Sequence, residues 1–178
     1  MAGHNKWSKI KHRKAGTDAQ KSKVFGKMVK LLITESKQCD GNVQSPGLKS
    51  AIKQAKAVNM SADNIQRAID RGASADTQAM QGITYETFGP GGCAILIETL
   101  TDNKNRTAAE IRHLLSRHNS TINGAGSASW LFTKESDGSV TASTTVDLND
   151  DDTEKLRLLV TELEDHDDVQ QVYTNRTA

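Results

Sequence analysis

The 178-residue sequence lacks the features that mark membrane, secreted and zinc-binding proteins. Its two cysteines, Cys39 and Cys93, are far apart and outside any CxxC or CxxH spacing, so they indicate neither a disulfide framework nor a zinc site. It contains no apolar run of about 18 residues, and its first residues lack the apolar stretch of a signal peptide. We therefore expect a soluble protein of a reducing, cytoplasmic compartment, with no membrane partner.

Acidic residues are scarce in the first part of the chain and abundant in the second. Up to Gly72 there are 15 basic and 5 acidic residues, whereas from Ala73 onward there are 8 basic and 17 acidic residues. The formal net charge of +1 conceals this division into a basic and an acidic part. A polyanion is attracted by the first part and repelled by the second, so we expect a nucleic-acid partner to meet the first.

The pattern up to residue 80 predicts a basic arm at residues 1–16 and a three-helix domain with its linker at residues 17–80. Thr17 opens a capping-box sequence, after which apolar residues recur at helical spacing for about 20 residues. Ser45 and Pro46 begin a second helix, and Ser61 caps a third, which Gly72 is expected to end. The segment ASADTQAMQG has no periodicity and predicts the linker.

The pattern from residue 81 to residue 178 predicts an α+β domain. ITYETF and CAILIETL flank the turn sequence GPGG and predict a hairpin. A helix capped by Thr107, strands at SASWLF and SVTASTTVDL, a helix from Asp150 and a strand at VQQVY follow. From CAILIETL onward this is the element order of a ferredoxin-like fold, here with an extra N-terminal strand.

The arm and the first helix hold the densest set of candidate phosphate contacts. Residues 1–30 contain nine basic residues and one acid, and such side chains neutralise phosphates by releasing counterions. Trp7 adds a ring that can stack on a base. The alternative is a solvated tail. The candidate nucleic-acid contacts here are Lys6, Trp7, Lys9, Lys11, His12, Arg13, Lys14, Lys21, Lys23 and Lys27.

Three further groups of basic residues are candidates. Lys49, Lys53 and Lys56 form one face of the second helix and favour phosphate contacts. The second and third helices could form a helix-turn-helix that presents Asn64, Arg67 and Arg71, or an ordinary helical hairpin. The sequence DNKNR brings Lys104 and Arg106 to a helix N-terminus, where free amides attract anions, although such loops are also plain connections.

No pattern points to catalysis or to a bound cofactor or metal. No serine, cysteine or lysine stands in a nucleophile motif, so we expect no enzyme, no catalytic residue and no small-molecule substrate. GAGSAS leads into a strand and lacks phosphate-loop spacing. His113 and His118 lie on different helix faces, and the sequence EDHDD is expected to be a solvated corner, so no metal site is predicted.

These residues and motifs resemble the YebC family, whose bacterial members are usually labelled probable transcriptional regulatory proteins and whose mitochondrial relatives are translational activators of cytochrome oxidase. The matching blocks span nearly the whole chain. They are MAGHNKWSKIKHRKAGTDAQKSKVFGKM, NIQRAIDRG, YETFGPGGCAILIETLTDNKNRTAAEIRH, GSASWLF, TTVDLNDDDTEKL and LEDHDDVQQVY.

The resemblance implies a non-enzymatic regulator of gene expression that binds nucleic acid, either DNA at promoters or RNA on the ribosome. Family members have a third domain inserted after the strand that ends in WLF, but here only TKESDGSVTAS separates that strand from TTVDL. We therefore expect the inserted domain to be absent between about residues 133 and 144. A different class of function remains open, in which the acidic second domain is an adaptor for a basic protein.

Overall fold

The computed structural model describes residues 18–77, 79–135 and 139–177. The basic arm at residues 1–16, the predicted cap Thr17 and residues 136–138 of the SDGS turn lie outside the described residues. Within the described ranges, no helix combines the length and the apolar character that crossing a membrane requires. The chain divides between Gln81 and Gly82 into two compact units, which we call the helical unit and the α+β unit.

The helical unit contains three helices, α1 (Asp18–Gln38), α2 (Pro46–Ala57) and α3 (Ala62–Ala73). They begin and end close to the predicted positions. Pro46 is in the first turn of α2, and the Ser61 side chain accepts a hydrogen bond from the Asn64 backbone N–H. Apolar residues that recur at helical spacing, together with Met60 of the turn between α2 and α3, form a core that includes Met28, Leu32, Ile33, Leu48, Ala51, Ala55, Ile65, Ala68 and Ile69.

Gly72 does not end α3, contrary to the expectation from the sequence, because the helix continues to Ala73. Gly72 is buried against α1, where a Cβ atom would lie 2.5 Å from the Ile33 carbonyl oxygen and 2.6 Å from the Ser36 Cβ. The Ser36 hydroxyl donates to the Ile69 carbonyl at 2.7 Å across the same contact. Glycine is therefore required because two helix backbones approach closely, not because the backbone turns.

The α+β unit holds the remaining elements in the predicted order. They are β1 (Gln81–Phe88), β2 (Ala94–Thr101), α4 (Lys104–Arg117), β3 (Phe132–Lys134), β4 (Val140–Ala142), α5 (Asp150–Asp165) and β5 (Val169–Thr174). The GPGG turn between β1 and β2 is a short 3₁₀ turn in which Gly91 and Gly92 have φ values of +63° and +74°. The Gly89 N–H donates to the Cys93 carbonyl at 2.8 Å and closes the turn.

Both faces of the central strand β2 are buried. The main sheet has the order β1-β2-β5, and β2 pairs antiparallel with β5 so that Ile97 lies opposite Val172. Ile95 and Ile97 belong to the main core together with the apolar faces of α4 and α5. Ala94 and Leu96 point to the other face, where they pack with Leu131 and Phe132. Strand alternation thus feeds two separate apolar clusters.

The α+β class is confirmed, but the strands do not pair as in a ferredoxin-like sheet. In the described residues β3 and β4 form a separate two-stranded sheet, in which Thr133 lies opposite Thr141. The reason is that β1 and β5 already occupy the two sides of β2, so no edge of the central strand is left for the hairpin. The SASWLF segment is correspondingly not a full strand, because Ser129–Leu131 forms a 3₁₀ turn before β3.

Candidate nucleic-acid interface

The helical unit presents two strips of exposed basic side chains. Lys49, Lys53 and Lys56 are exposed along one face of α2, and Arg67 and Arg71 are exposed one turn apart on α3. Among the described residues, none of these five side chains makes a hydrogen bond or ion pair. Their charges are therefore available to an anionic partner.

The candidate lysines of α1 differ in exposure. Lys21 and Lys23 are exposed, whereas only 6% of Lys27 is accessible. A side chain buried to this extent has no surface for a phosphate, so we leave Lys27 out of the candidate interface. The seven candidates from Lys6 to Lys14, including Trp7, lie outside the described residues.

A groove of about 220 Å³ lies between the first half of α1 and the neighbouring face of α3. Phe25 and Val29 line it from α1. On the other side it is lined by Met60, Asn64, Arg67, Ala68 and Arg71. The groove thus combines an apolar wall with a rim of basic and amide side chains. The residues of α3 that were predicted to read bases therefore lie beside α1 and not on an isolated recognition helix.

Five of the eight basic side chains in the α+β unit are instead ion-paired with carboxylates, whereas Lys104, Arg112 and Arg176 make no ion pair with a described residue. Lys155 lies 2.5 Å from Asp151, and Arg157 lies 2.6 Å from Glu154. Arg117 pairs with Glu162, and the Lys134 ammonium lies 3.9 Å from Glu98. Such surface pairs contribute little to stability, but they do cancel local positive charge. The α+β unit is thus a poor surface for a polyanion.

The predicted anion site at the start of α4 is not free. The helix begins at Lys104, not at Thr107, and the Asn103 side chain accepts from the backbone N–H groups of Asn105 and Arg106 at 3.1 Å each. The Arg106 guanidinium lies 3.0 Å from Asp102 and 2.9 Å from Asp168. Lys104 is exposed, but the amides and the arginine that were predicted to bind a phosphate already have partners.

The EDHDD corner is not the solvated corner that the sequence predicts, because Asp168 is only 3% exposed. Its carboxylate accepts from Arg106 and, at 2.7 Å, from the Thr107 hydroxyl. Thr107 also contacts the Thr101 hydroxyl at 2.8 Å. The predicted cap residue Thr107 is therefore a buried link that ties α4 to the segment before β5.

Glu110, His166 and Asp168 are close enough to share a metal ion, a grouping that the sequence spacing did not reveal. Their donor atoms are, however, already engaged. His166 Nδ1 accepts from the Asp168 backbone N–H at 3.1 Å, so its Nε2 carries the proton toward Glu110, 3.0 Å away. The Arg106 guanidinium lies 2.9 Å from Asp168 and 3.9 Å from Glu110, and it offsets part of their negative charge. The donor set fits an ion-pair network better than a metal site.

The GAGSAS loop forms a nest of backbone amides, but the nest holds an internal anion. The Glu86 carboxylate, 6% exposed, accepts from the N–H groups of Gly126, Ala128 and Ser129 at 2.8, 2.7 and 2.9 Å. Burial by itself raises the pKa of Glu86, and these donors together with the Ser129 hydroxyl outweigh burial, so the pKa lies below its usual value. A phosphate would have to displace this carboxylate.

The α+β unit exposes one aromatic side chain that the sequence pattern does not mark as a candidate contact. Trp130 is 69% exposed on the 3₁₀ turn that precedes β3, and its indole N–H donates to the Ser127 carbonyl at 3.0 Å. The SASWLF pattern predicts a strand, whereas Trp130 lies in a 3₁₀ turn and its ring is exposed.

Comparison with known proteins identifies the family. Residues 5–75 match the family model described as the TACO1/YebC protein N-terminal domain. Residues 80–140 and 133–176 match the model described as the TACO1/YebC second and third domain. A solved structure, that of the conserved hypothetical protein Aq1575 from Aquifex aeolicus, is 27% identical with a TM-score of 0.84 and 97% coverage of both chains.

Two curated relatives carry the name probable transcriptional regulatory protein. The one from Dictyoglomus thermophilum is 47% identical over 142 residues, which is 79% of this chain and 56% of that protein. The one from Nitratiruptor sp. is 50% identical over 138 residues, which is 76% of this chain and 58% of that protein. The chain thus spans somewhat more than half the length of these relatives. The resemblance drawn from the sequence motifs is confirmed, and the chain belongs to the TACO1/YebC family.

Proposed function

We propose that this chain is a non-enzymatic, cytoplasmic regulator of gene expression that binds nucleic acid through its helical unit and the basic arm that precedes it. The observation that carries the proposal is the contrast in charge pairing. Lys49, Lys53, Lys56, Arg67 and Arg71 have no carboxylate partner among the described residues, whereas most basic side chains of the α+β unit are ion-paired. Unpaired cations are the groups that displace counterions from a phosphodiester chain.

Binding to DNA in transcription is the leading form of the proposal, because the curated relatives carry the name of transcriptional regulators. The alternative is a translation factor that binds ribosomal RNA. Both use the same basic surface, so they differ in the physiological ligand and not in the residues involved. The inserted third domain of the family remains predicted to be absent, and with it any contact that the domain makes.

The test is the salt dependence of binding to a DNA duplex. Replacing Lys49, Lys53 and Lys56 together by glutamine should reduce the slope of log affinity against log salt by roughly 0.9 for each phosphate that the variant no longer neutralises. The matched control replaces Arg117, Lys155 and Arg157 by glutamine, which removes the same charge from ion-paired positions of the α+β unit. That control should leave the slope unchanged.

Equal slopes for the wild type and the α2 variant would contradict a role for that face. Absence of binding to both DNA and RNA at low salt would contradict the proposal as a whole. Sedimentation with ribosomal particles, abolished in the α2 variant but not in the control, would favour the translation alternative. If the α+β unit captures a basic protein, and replacing the basic residues of the arm does not reduce this capture, the adaptor function would be favoured instead.

A further inference from the structure

The groove between α1 and α3 has a composition that the binding of phosphates alone does not explain. A surface that only neutralises phosphates needs cations, yet this groove has Phe25 and Val29 half-buried along one wall. With a volume of about 220 Å³ it is smaller than the sites that enclose drug-sized molecules, and it is open at the surface. It suits the partial insertion of one flat, largely apolar group.

The rim of the groove has the charge and hydrogen-bonding groups that accompany such a group in a nucleic acid. Asn64, Arg67 and Arg71 lie at positions i, i+3 and i+7 of α3 and share one strip of the helix. Lys21 lies one turn before Phe25 on the same face of α1 and adds a positive charge at the end of the apolar wall. The acidic residues of α3, Asp63 and Asp70, fall on the next strip, and Asp70 accepts from Gln66 at 2.8 Å.

The rim side chains have no partner in the part of the chain that the structure describes. Among the described residues, neither arginine nor the Asn64 side chain makes a hydrogen bond or an ion pair. An amide side chain can read the edge of a base, whereas guanidinium groups bind phosphates or stack on rings. An apolar wall flanked by these groups is how proteins hold unstacked bases of single strands.

We infer that the α1–α3 groove holds a single unstacked nucleobase, which packs on Phe25 while Arg67 and Arg71 bind the adjoining phosphates and Asn64 contacts the base edge. This inference rests on the proposed function and deepens it, because it assigns a single-stranded segment, from RNA or from locally opened DNA, to a specific site. A base in a continuous duplex is stacked and cannot enter the groove.

The experiment compares an oligouridylate, an oligodeoxythymidylate, an abasic oligomer and a DNA duplex of equal length. The abasic oligomer keeps the phosphodiester chain and removes only the bases. The wild type should bind the base-bearing oligomers about tenfold more tightly than the abasic one. Phe25→Leu, which keeps the apolar character and removes the ring, should abolish most of this difference and leave duplex and abasic binding unchanged.

Two control variants separate the groove from general charge and packing effects. Lys53→Gln should weaken the binding of all four ligands by a similar factor, because Lys53 contributes charge from a different helix, outside the groove. Phe88→Leu alters a half-buried phenylalanine of the α+β unit and should affect none of them. If Phe25→Leu impairs folding, Asn64→Ala provides the same comparison from an exposed position and should reduce the preference for bases several-fold.

Each outcome has a distinct meaning. A wild type that binds none of the four ligands overturns the proposed function. A wild type that binds them, but with no preference for bases or with a preference that survives both groove variants, overturns the groove inference alone. A loss of preference on both base-bearing oligomers supports a site for the base itself, and a loss confined to one of them assigns the base to RNA or to DNA.

Discussion

Replacing Glu86 by glutamine changes one atom at the centre of the nest formed by residues 126–129. One carboxylate oxygen accepts from the Gly126 N–H, and the other accepts from the Ala128 and Ser129 N–H groups. A glutamine side chain can reproduce only one of these oxygens. If its carbonyl faces Ala128 and Ser129, its NH₂ group faces the Gly126 N–H, so that two donors oppose each other.

The magnitude follows from the number of bonds that change. A hydrogen bond to a charged group is worth about 1 kcal/mol more than one between neutral groups, so two retained bonds lose about 2 kcal/mol. The third bond is broken and leaves a donor without an acceptor, which costs at least about 1 kcal/mol more. We therefore expect Glu86→Gln to lower the free energy of unfolding of the α+β unit by about 3 kcal/mol near neutral pH.

The effect has a defined dependence on pH. The folded structure lowers the pKa of Glu86, so the carboxylate stabilises the fold fully above its unfolded-state pKa of about 4.3. This contribution is lost as the pH falls through the lower folded-state pKa. The difference in unfolding free energy between the wild type and Glu86→Gln should therefore be constant near neutrality and should shrink in acid.

The assay is urea unfolding followed by the accessibility of the fully buried Cys93 thiol to a thiol reagent, in a Cys39→Ser background so that the signal reports only the α+β unit. This choice matters because two compact units need not unfold in a single transition. Glu135→Gln, at an exposed position of the same unit, is the control and should cost less than about 0.5 kcal/mol. A loss below about 1 kcal/mol for Glu86→Gln, or a loss independent of pH, would refute the reasoning.

Three further predictions concern packing and side-chain chemistry. Gly72→Ala should destabilise the helical unit by about 2 kcal/mol in thermal unfolding, because the added Cβ would overlap α1. The control Gly26→Ala, which has open space around it, should stabilise α1 by about 0.5–1 kcal/mol. An unchanged stability of Gly72→Ala would contradict the close approach of α1 and α3. Asp168→Asn should lower the free energy of unfolding in urea by about 2 kcal/mol, because it removes the buried charged partner of Arg106. Asp102→Asn removes the exposed partner of the same arginine and should lower it by less than about 1 kcal/mol. Equal losses of stability in the two variants would exclude a special role for the buried carboxylate. Burial raises the pKa of the Cys93 thiol to about 11. A thiol reagent at about pH 8 should therefore label only Cys39 in the folded protein and both thiols after unfolding. Rapid labelling of Cys93 in the folded protein would contradict the burial of this side chain.

The helices and most strands follow from the sequence because local patterns specify them. The periodic apolar residues of α1 to α3 and the caps Ser45 and Ser61 place three helices close to their observed bounds. The apolar run of β2 and the GPGG turn likewise predict the β1–β2 hairpin. These signals lie within a few residues of the element that they define, so they can be recognised without knowledge of the tertiary structure.

Strand pairing and the roles of particular polar residues do not follow in this way. The order of helices and strands along the chain predicts a ferredoxin-like sheet. That order does not determine which strands pair, and in the structure β1 and β5 occupy the two sides of β2. The cap predicted at Thr107 uses a correct local motif, yet Asn103 caps the helix and Thr107 bonds to Asp168, 61 residues away. A local motif cannot show which competing partner a distant segment supplies.

The sequence by itself determined the family, the helical and α+β character, and the separation of basic from acidic charge, because each is a property of composition or of neighbouring residues. Only the tertiary structure decided which of those charges are available. Arg106 lies in a basic motif but is paired with Asp102 of that motif and with Asp168 of a distant segment. Arg67 and Arg71, by contrast, remain unpaired among the described residues, beside the apolar groove. Charge neutralisation and burial depend on contacts between residues far apart in the chain, and those contacts exist only once the chain has folded.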